Sequence, residues 1–471
     1  MIDRREILDT AAQVSLNPHV VEKDYVLGWI LAGIYGHAEL AESWVFKGGT
    51  CLKKCFFETY RFSEDLDFTL LNAAHIDEAF LRRVFAEIGQ KIYDETGIEF
   101  PAGTQEFEIY KNPRGQLSCQ GKLSYRGPVS PQGKTIPRVK LDLTADERVV
   151  LPPVRVPVFH PYSDEPEGGI EVLAYAYEEA FGEKVRALGE RTRPRDLYDV
   201  INLFRNTNAR PAAAVLLDVL RQKCAFKEIA VPRLADLQPH RTDLEAGWAS
   251  MLDHQLPALL PLDSFWNELP AFFEWLEGGA APIVPAAYAI GVGEIILRER
   301  GLRLPVSGAA QSAIEVIRFS AFNRLCVELD YRDEKGTRTL RVVEPYSLRQ
   351  TNAGNILLHT HDVGKDAHRG LRVDRIEGAS VTNRTFVPRF EIELTPEGPV
   401  HVQPTTIRSS SGGVTSRART ARRTGPVYIY ECPNCRKKFR RQQRNSHLNA
   451  HTDKNGYRCS GRVGYHVDTQ Y

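Results

Sequence analysis

The spelling Arg61-Phe62-Ser63-Glu64-Asp65-Leu66-Asp67-Phe68 limits the possible folds of this chain more than any other stretch. In a strand, residues i and i+2 share a face, so Asp65 and Asp67 stand on one side and Leu66 and Phe68 on the other. Two like charges aimed at one spot repel unless a cation lies between them. Mg²⁺ takes hard oxygen ligands and is commonly shared between one or two carboxylates and substrate phosphates. Upstream, Val45 and Phe46 lead into Gly48, Gly49 and Thr50, and a helix-like run goes from Cys51 to about Thr59. Glycine lets backbone approach a ligand closely, and a helix starting there offers unpaired N–H groups to an anion. The GxxxxGK[ST] spacing of a Walker A loop is missing. Either half alone is equally an ordinary turn or a strand with a solvated polar face; together they point to a phosphate and metal site.

A third carboxylate fits this pattern. Residues 105 to 143 favour strands ending in RVKLDLT, where Val139, Leu141 and Leu143 alternate with Lys140, Asp142 and Thr144. Asp142 on the polar face would complete the ligands of a two-metal site. Residues 3 to 36 read as helices through Ile7, Leu8, Ala11 and Val14, then Val20 to Ile34, with Glu22, Lys23 and Asp24 on a solvated face. Asp77 to Glu95 repeats the amphipathic pattern. In Tyr177 to Phe204, Phe181, Val185 and Leu188 form a core stripe, the helix breaks near Thr192 to Pro194, and a second helix turns Leu197, Val200, Ile201 and Phe204 inward. Lys184, Arg186, Arg191, Arg193 and Arg195 make this pair the basic counterpart of the acidic strand, suited to stabilising charge on transferring phosphates. The blander expectation is an i,i+4 pair of Arg195 with Asp199 and a helix cap at Asp196.

The KGGTxLxK turn, the RxSxDxDF strand, the KLDLT strand and the EKxxAxxxRxxxRDLYD helix pair together resemble the AbiEii/AbiGii-type nucleotidyltransferase toxins of phage-defence and toxin–antitoxin systems, related to the MenT toxins. The resemblance covers roughly residues 15 to 275. It implies an α+β chain with a polymerase-β-like nucleotidyltransferase domain, Mg²⁺-dependent transfer from an NTP to an RNA acceptor such as tRNA, and a cognate antitoxin. By motif it implies that Asp65, Asp67, Asp142, Lys184 and Asp196 are catalytic, joined by Asp199 in the last motif. Gly48, Gly49, Thr50, Ser63 and Lys184 would bind nucleotide, with Thr50 or Ser63 as the triphosphate-binding hydroxyl. Asp65, Asp67 and Asp142 would hold Mg²⁺. The alternative is a nucleic-acid-binding regulator whose nucleotidyltransferase domain is non-catalytic.

A chain of 471 residues exceeds a single core, and the sequence divides accordingly. Residues 1–277 form the first expected domain, its residues 207 to 277 a helical tail with Leu216, Leu217, Leu220, Trp248, Leu252, Phe265, Trp266, Phe272 and Trp275 for packing. Gly278 to Pro285 reads as a linker. Residues 286–396 form the next, with Ala286 to Leu297 helical and then the strand-like segments CVELDY, TRTLRVVEPYSLR, NILLHTHD, GLRVDRIEGASVT and FVPRFEIEL. Over residues 310 to 390 these resemble a WYL domain, a small Sm-like β-barrel that in relatives binds nucleic acid or nucleotide ligands and regulates an attached effector. Asn355-Ile356-Leu357 stands where the naming tripeptide would be. Arg349, His359, Arg369, Arg372 and Arg375 make a candidate anion-binding set.

The end of the chain differs in composition. Residues 397–426 read as a basic flexible linker, and from Arg408 to Asn445 there are eleven Lys and Arg against one acid, Glu431. Residues 427–471 carry Cys432 and Cys435 at CxxC spacing, followed by His447, His451, Cys459 and His466. One tight turn can then present two thiolates to tetrahedral Zn²⁺. His447 and His451 have the HxxxH spacing of a Cys-Cys-His-His finger, but Cys459 would be left over. The spelling CPNC, Leu448, His451, YRCSGR resembles a Cys-Cys-His-Cys motif, favouring Cys432, Cys435, His451 and Cys459 around a structural Zn²⁺. The other five cysteines are scattered singly, so a reducing compartment is expected rather than a disulfide framework. With no apolar signal core in MIDRREILDTAAQ and no long apolar run, the expectation is a soluble cytoplasmic protein with no membrane partner.

Overall fold

Alternation of apolar and polar residues builds a seven-stranded sheet from β1 (Trp44–Lys47), β2 (Asp65–Leu70), β3 (Glu106–Lys111), β4 (Leu117–Ser124), β5 (Arg138–Thr144), β6 (Val154–Val158) and β7 (Ile170–Ala174) in the order β3-β4-β5-β2-β1-β7-β6. This computed structural model describes residues 2–14, 16–57, 61–129, 136–256, 258–280, 286, 287, 289, 291, 293–298 and 308–394. Toward the C-terminus it describes 427–432, 434–441, 446, 448, 450–452, 458–461, 463 and 465–470. The chain splits into two units, Met1–Thr405 and Thr406–Tyr471.

The acidic strands lie centrally in the sheet. β2 runs antiparallel to β1 and parallel to β5. On the apolar face, Phe68 packs its ring against Trp44, Phe46 and Tyr35. Helices α1 (Arg4–Gln13) and α2 (Pro18–Tyr35) precede the sheet; the short α3 (Gly48–Cys51) follows β1 and passes into a π-helical turn, Leu52–Phe56. Helix α4 (Glu78–Thr96) is started by Asp77, whose carboxylate accepts from Phe80 N at 2.8 Å, and ended by Gly97 at φ 77°.

The solvated face expected for Glu22 and Asp24 does not exist, because α2 is buried nearly all round. Asp24 accepts from Lys54 Nζ at 2.7 Å and from the Tyr162 hydroxyl at 3.1 Å, while Glu22 accepts from Val129 N. A buried charge needs such a partner, and these partners are remote in sequence. Beside them His160, 1% exposed, stacks on Tyr25 and lies against Gly28, where an added Cβ would come within 2.1 Å of its ring. Burial, assisted by Lys54, pushes the His160 imidazole down to about 3. The ring stays neutral in the fold while the unfolded chain takes up its proton below about 6.5, so this stabilising term is lost as pH falls through that value. Between pH 7.5 and 5, His160→Phe should lose about 2 kcal/mol less stability than the parent in urea titrations. Equal losses would show that the imidazole is not held neutral.

The helical tail runs α5 (Tyr177–Arg191), α6 (Pro194–Arg205), α7 (Ala213–Lys227), α8 (Leu234–Leu237), α9 (Arg241–Leu252), α10 (Asp263–Trp266) and α11 (Leu269–Leu276). Thr192 breaks α5 from α6 at φ 44°. The expected packing residues are buried, with Leu217 partly so. Further along, the expected helix over Ala286 to Leu297 is absent from the described residues. Ile295–Ile296 instead forms β8, paired to Arg349 and Gln350. Gly293, at φ 79°, disfavours a helix there and two β-branched residues favour a strand.

Helix α12 (Gly308–Phe322) then leads into β9 (Leu325–Arg332), β10 (Arg338–Gln350), β11 (Ile356–Asp362), β12 (Ala367–Arg372) and β13 (Ile376–Thr385), ordered β12-β11-β10-β9-β13 with β8 on β10. The last strand lies beside the first, as the Sm-like expectation requires, around a core that includes Ile314, Ile317, Val327, Leu329 and Leu358. FVPRFEIEL is not a strand: residues 386–394 make no ladder, Pro388 having no N–H to donate.

In the second unit, β14 (Val427–Glu431) lies between β15 (Lys438–Arg441) and the later β18 (Tyr465–Gln470), and β16 (His451–Thr452) pairs with β17 (Arg458–Cys459). The basic linker expected over 397–426 lies outside the described residues. Among the described residues, no helix is long and apolar enough to cross a membrane.

Candidate active site and metal centre

Strand register brings the acidic motif together. Lys47 faces Asp67 across β1 and β2, Asp67 faces Asp142 across β2 and β5, and Asp142 faces Gln120 across β5 and β4. Residues in register share a face, so Asp65, Asp67 and Asp142 project to the side opposite the apolar core. Gln120 Nε2 donates to Asp142 Oδ1 at 3.4 Å. Burial, then the neighbouring Asp142, pushes the Asp67 carboxyl up to about 6, and burial raises Asp65 as well. Carboxyls held above their ordinary range by each other and by burial are a donor set that a divalent cation would relieve.

The glycine turn sits directly on this cluster. Gly48 adopts φ 80°, and a Cβ there would lie 2.0 Å from Asp67 Oδ2. Gly49 is tight but less crowded: its Cβ would stand 3.0 Å from Arg61 Nη2 and 3.1 Å from Ser63 Oγ. The Thr50 hydroxyl, 1% exposed, donates to the Asp65 carbonyl oxygen and so locks the turn to the start of β2. Of the two hydroxyls named for the triphosphate, that of Thr50 is engaged with the Asp65 carbonyl, while that of Ser63 lies beside Gly49.

Helices α5 and α6 supply the basic side. Lys184 Nζ lies 2.7 Å from Asp199 Oδ2. The same carboxylate is gripped by Arg61, Nε to Oδ1 and Nη2 to Oδ2, both at 2.8 Å. Burial alone would raise the Asp199 carboxyl, but Arg61 and Lys184 hold it well below the usual range. Asp199 therefore pairs with Arg61 and Lys184, not with Arg195. Asp196 does not cap α6 either: Arg193 occupies the cap, and both Asp196 oxygens accept from Arg191, at 2.8 and 2.9 Å. Arg191 lies in the field of Asp67, and Arg195 in that of Asp65 and Glu64. Arg61 opens the RxSxDxDF motif, yet its partner lies 138 residues away, so no local pattern marks its role.

Of the candidate anion-binding set, Arg349 and His359 meet at Glu294, while Arg372 and Arg375 pair with other carboxylates. Arg349, fully buried, donates to Glu393 at 3.0 Å and to Ser347 at 3.0 Å, and lies 3.4 Å from Glu294. His359, also buried, lies 3.3 Å from His368 and 3.8 Å from Glu294. Arg372 pairs with Asp374 at 2.8 Å and Arg375 with Glu334 at 3.1 Å, while Arg369 donates to the His368 carbonyl.

In the second unit the ligand atoms of Cys432, Cys435, His451 and Cys459 all lie within 4.8 Å of one another. The Cys432 and Cys459 sulfurs are 3.7 Å apart. Two thiolates bound tetrahedrally at about 2.3 Å would stand about 3.8 Å apart. Burial opposes ionisation of Cys432, but the N–H groups of Cys435 and Asn434 bring its thiol down to about 6. Gly461 completes the cradle, since a Cβ there would come within 2.4 Å of Cys432 Sγ. The donor set, spacing and cradle are compatible with Zn²⁺. His447 lies outside the described residues.

The family model for the nucleotidyl transferase AbiEii toxin of type IV toxin–antitoxin systems matches residues 29–277, and that for the WYL domain matches residues 312–381. Among solved structures, the chain is similar to MenT4, a nucleotidyltransferase toxin from Mycobacterium tuberculosis H37Rv, at 16% identity over 60% of this chain and 91% of that one, with a TM-score of 0.39. It is also similar to the proteasome accessory factor B/C (PafBC) of Arthrobacter aurescens, at 15% identity over 60% of this chain and 41% of that one, with a TM-score of 0.16. No curated protein matches.

Proposed function

Because the chain belongs to the AbiEii nucleotidyltransferase toxin family and carries a WYL domain, we propose that residues 1–277 transfer a nucleotide from an NTP to an RNA acceptor such as tRNA. The observation that carries this reading is the strand register placing Asp67 beside Asp142, with Asp65 on the same face. A divalent cation such as Mg²⁺ held by Asp65, Asp67 and Asp142 would neutralise charge on the reacting phosphate oxygens. Gly48 and Gly49 let the backbone approach the triphosphate, and Ser63 offers a hydroxyl beside them. Lys184, positioned by Asp199, and Arg191, positioned by Asp196, draw the phosphates toward the carboxylates and stabilise the leaving pyrophosphate. In this proposal residues 286–396 regulate the enzyme and residues 427–471 hold a structural Zn²⁺ that presents basic residues to nucleic acid. A cognate antitoxin and a role in phage defence or toxin–antitoxin control belong to the same proposal, supported by a family model that describes toxins of type IV toxin–antitoxin systems.

Incubating the full chain with Mg²⁺, each NTP labelled at the α-phosphate, and total RNA should label RNA of tRNA size. A chain that shifts RNA on a gel yet labels none with any NTP would be a binding regulator instead. The turn makes its own prediction. Gly48→Ala would strain a left-handed residue and drive a methyl group into Asp67, so transfer should fall about a hundredfold with only a modest drop in melting temperature. Wild-type transfer by that variant would remove the turn from the site.

A further inference from the structure

A cavity of about 320 Å³ opens where the helical tail meets the WYL domain. Phe204 at the end of α6, Phe322 at the end of α12 and Phe390 give it apolar, aromatic walls. Its polar groups are poorly matched to one another. Arg205 and Arg324 both donate to the same oxygen of Glu268, at 2.8 and 3.0 Å, so two guanidiniums share one carboxylate oxygen. Burial, then repulsion from Arg205, brings the Arg324 guanidinium down to about 10. Asn206, 4% exposed, lines the same cavity, and neither its side-chain oxygen nor its nitrogen has a hydrogen-bond partner. A buried amide without partners is costly, and native proteins rarely keep one without a use.

We propose that this cavity binds a small planar molecule that carries one acidic group and a ring edge with adjacent hydrogen-bond donor and acceptor. The amide of Asn206 matches such an edge, as asparagine does on a purine. The phenylalanines cover the ring faces, and Arg205 and Arg324 take the acid. Glu391 also lines the cavity, which disfavours a polyanion such as a triphosphate. The volume is at the lower end of small-molecule pockets. Both a nucleoside monophosphate and a free ring acid such as orotate have this chemistry. The site is separate from the acidic face of the sheet, but α6 joins them: Asp196 and Asp199 lie near its start, and Asn202, Phe204 and Arg205 reach the cavity from its end. The Tyr198 hydroxyl also bonds to Asn323, just beyond α12. A ligand would therefore act on the helix that positions Lys184 and Arg191.

The test is calorimetric titration of the full chain with the four nucleoside 5′-monophosphates, orotate and inorganic phosphate. At least one ring-bearing acid should bind, tenfold or more tighter than phosphate, and the tighter class identifies the source. That affinity should fall at least tenfold in Asn206→Ala and in Ala271→Phe, which fills the cavity, and stay unchanged in Asp67→Asn. Because the Asn206 amide has no partner, its removal should not lower the melting temperature, so loss of binding in that variant is not loss of fold. Absence of binding by every probe overturns the proposal. So does binding that survives in Asn206→Ala and Ala271→Phe but is lost in Asp67→Asn, which would place the probe on the carboxylate face.

Discussion

Asp67→Asn should abolish nucleotide transfer while melting no lower than the parent in metal-free buffer at pH 7. Charge neutralisation by a metal is worth several kcal/mol in such reactions, so the loss should be about a thousandfold or more. The stability half follows from the Asp67 carboxyl, held at about 6 by burial and by Asp142. Its folded value is above the unfolded one of about 3.9, so the folded state binds more protons between them. Stability then declines as pH rises through that window, and the deficit persists at pH 7. A neutral Asn removes it. Adding Mg²⁺ should raise the melting temperature of the parent and leave that of the variant where it was. A variant that transfers at the parental rate, or one that still responds to Mg²⁺, would take Asp67 out of the metal site.

Cys432→Ser should abolish zinc binding and unfold the C-terminal unit. Among the described residues the apolar core there is small, built on Tyr430, Cys432, Leu448 and Cys459, two of them members of the cysteine–histidine cluster. Structural Zn²⁺ contributes on the order of 10 kcal/mol or more in small folds of this kind, far more than such a core can. Metal analysis should find about one zinc per chain in the parent and almost none in Cys432→Ser, with His451→Ala and Cys459→Ser behaving alike. His447→Ala should keep its zinc. Loss in His447→Ala but not in His451→Ala would exchange the closing ligand. Transfer to a mononucleotide-sized acceptor should survive in Cys432→Ser, because the carboxylate face is built entirely from the first unit.

What could be read from the sequence was what local period encodes. Alternation of Asp65, Leu66, Asp67 and Phe68 fixed both the strand and the face its carboxylates occupy, and Val139 to Thr144 did the same for Asp142. The break at Thr192 and the helices on either side followed from local signals too. Long-range pairing was not legible. Arg61 finds Asp199, and Asp24 finds Lys54, only once the chain has folded, so α2 looked half-solvated and Arg195 looked like the partner of Asp199. The same limit applies to Arg349, which read as a candidate anion-binding residue and is buried against Glu393. Ala286 to Leu297 read as a helix, and the strand at Ile295–Ile296 came from its pairing with β10, which no local pattern announces. The gathering of Cys432, Cys435, His451 and Cys459 was legible because CxxC spacing needs little context, although His451 and Cys459 come from separate short strands.

The most direct measurement compares two positions of the label. With ATP, GTP, CTP and UTP labelled in turn at the α- or the γ-phosphate, the parent chain and Asp67→Asn are each incubated with Mg²⁺ and RNA, and the RNA is counted. Nucleotidyl transfer breaks the bond between the α- and β-phosphates, so RNA should gain α-label and no γ-label, only with the parent and only with metal. RNA that acquires γ-label, or α-label that appears equally with Asp67→Asn, would contradict a nucleotidyltransferase built on Asp65, Asp67 and Asp142.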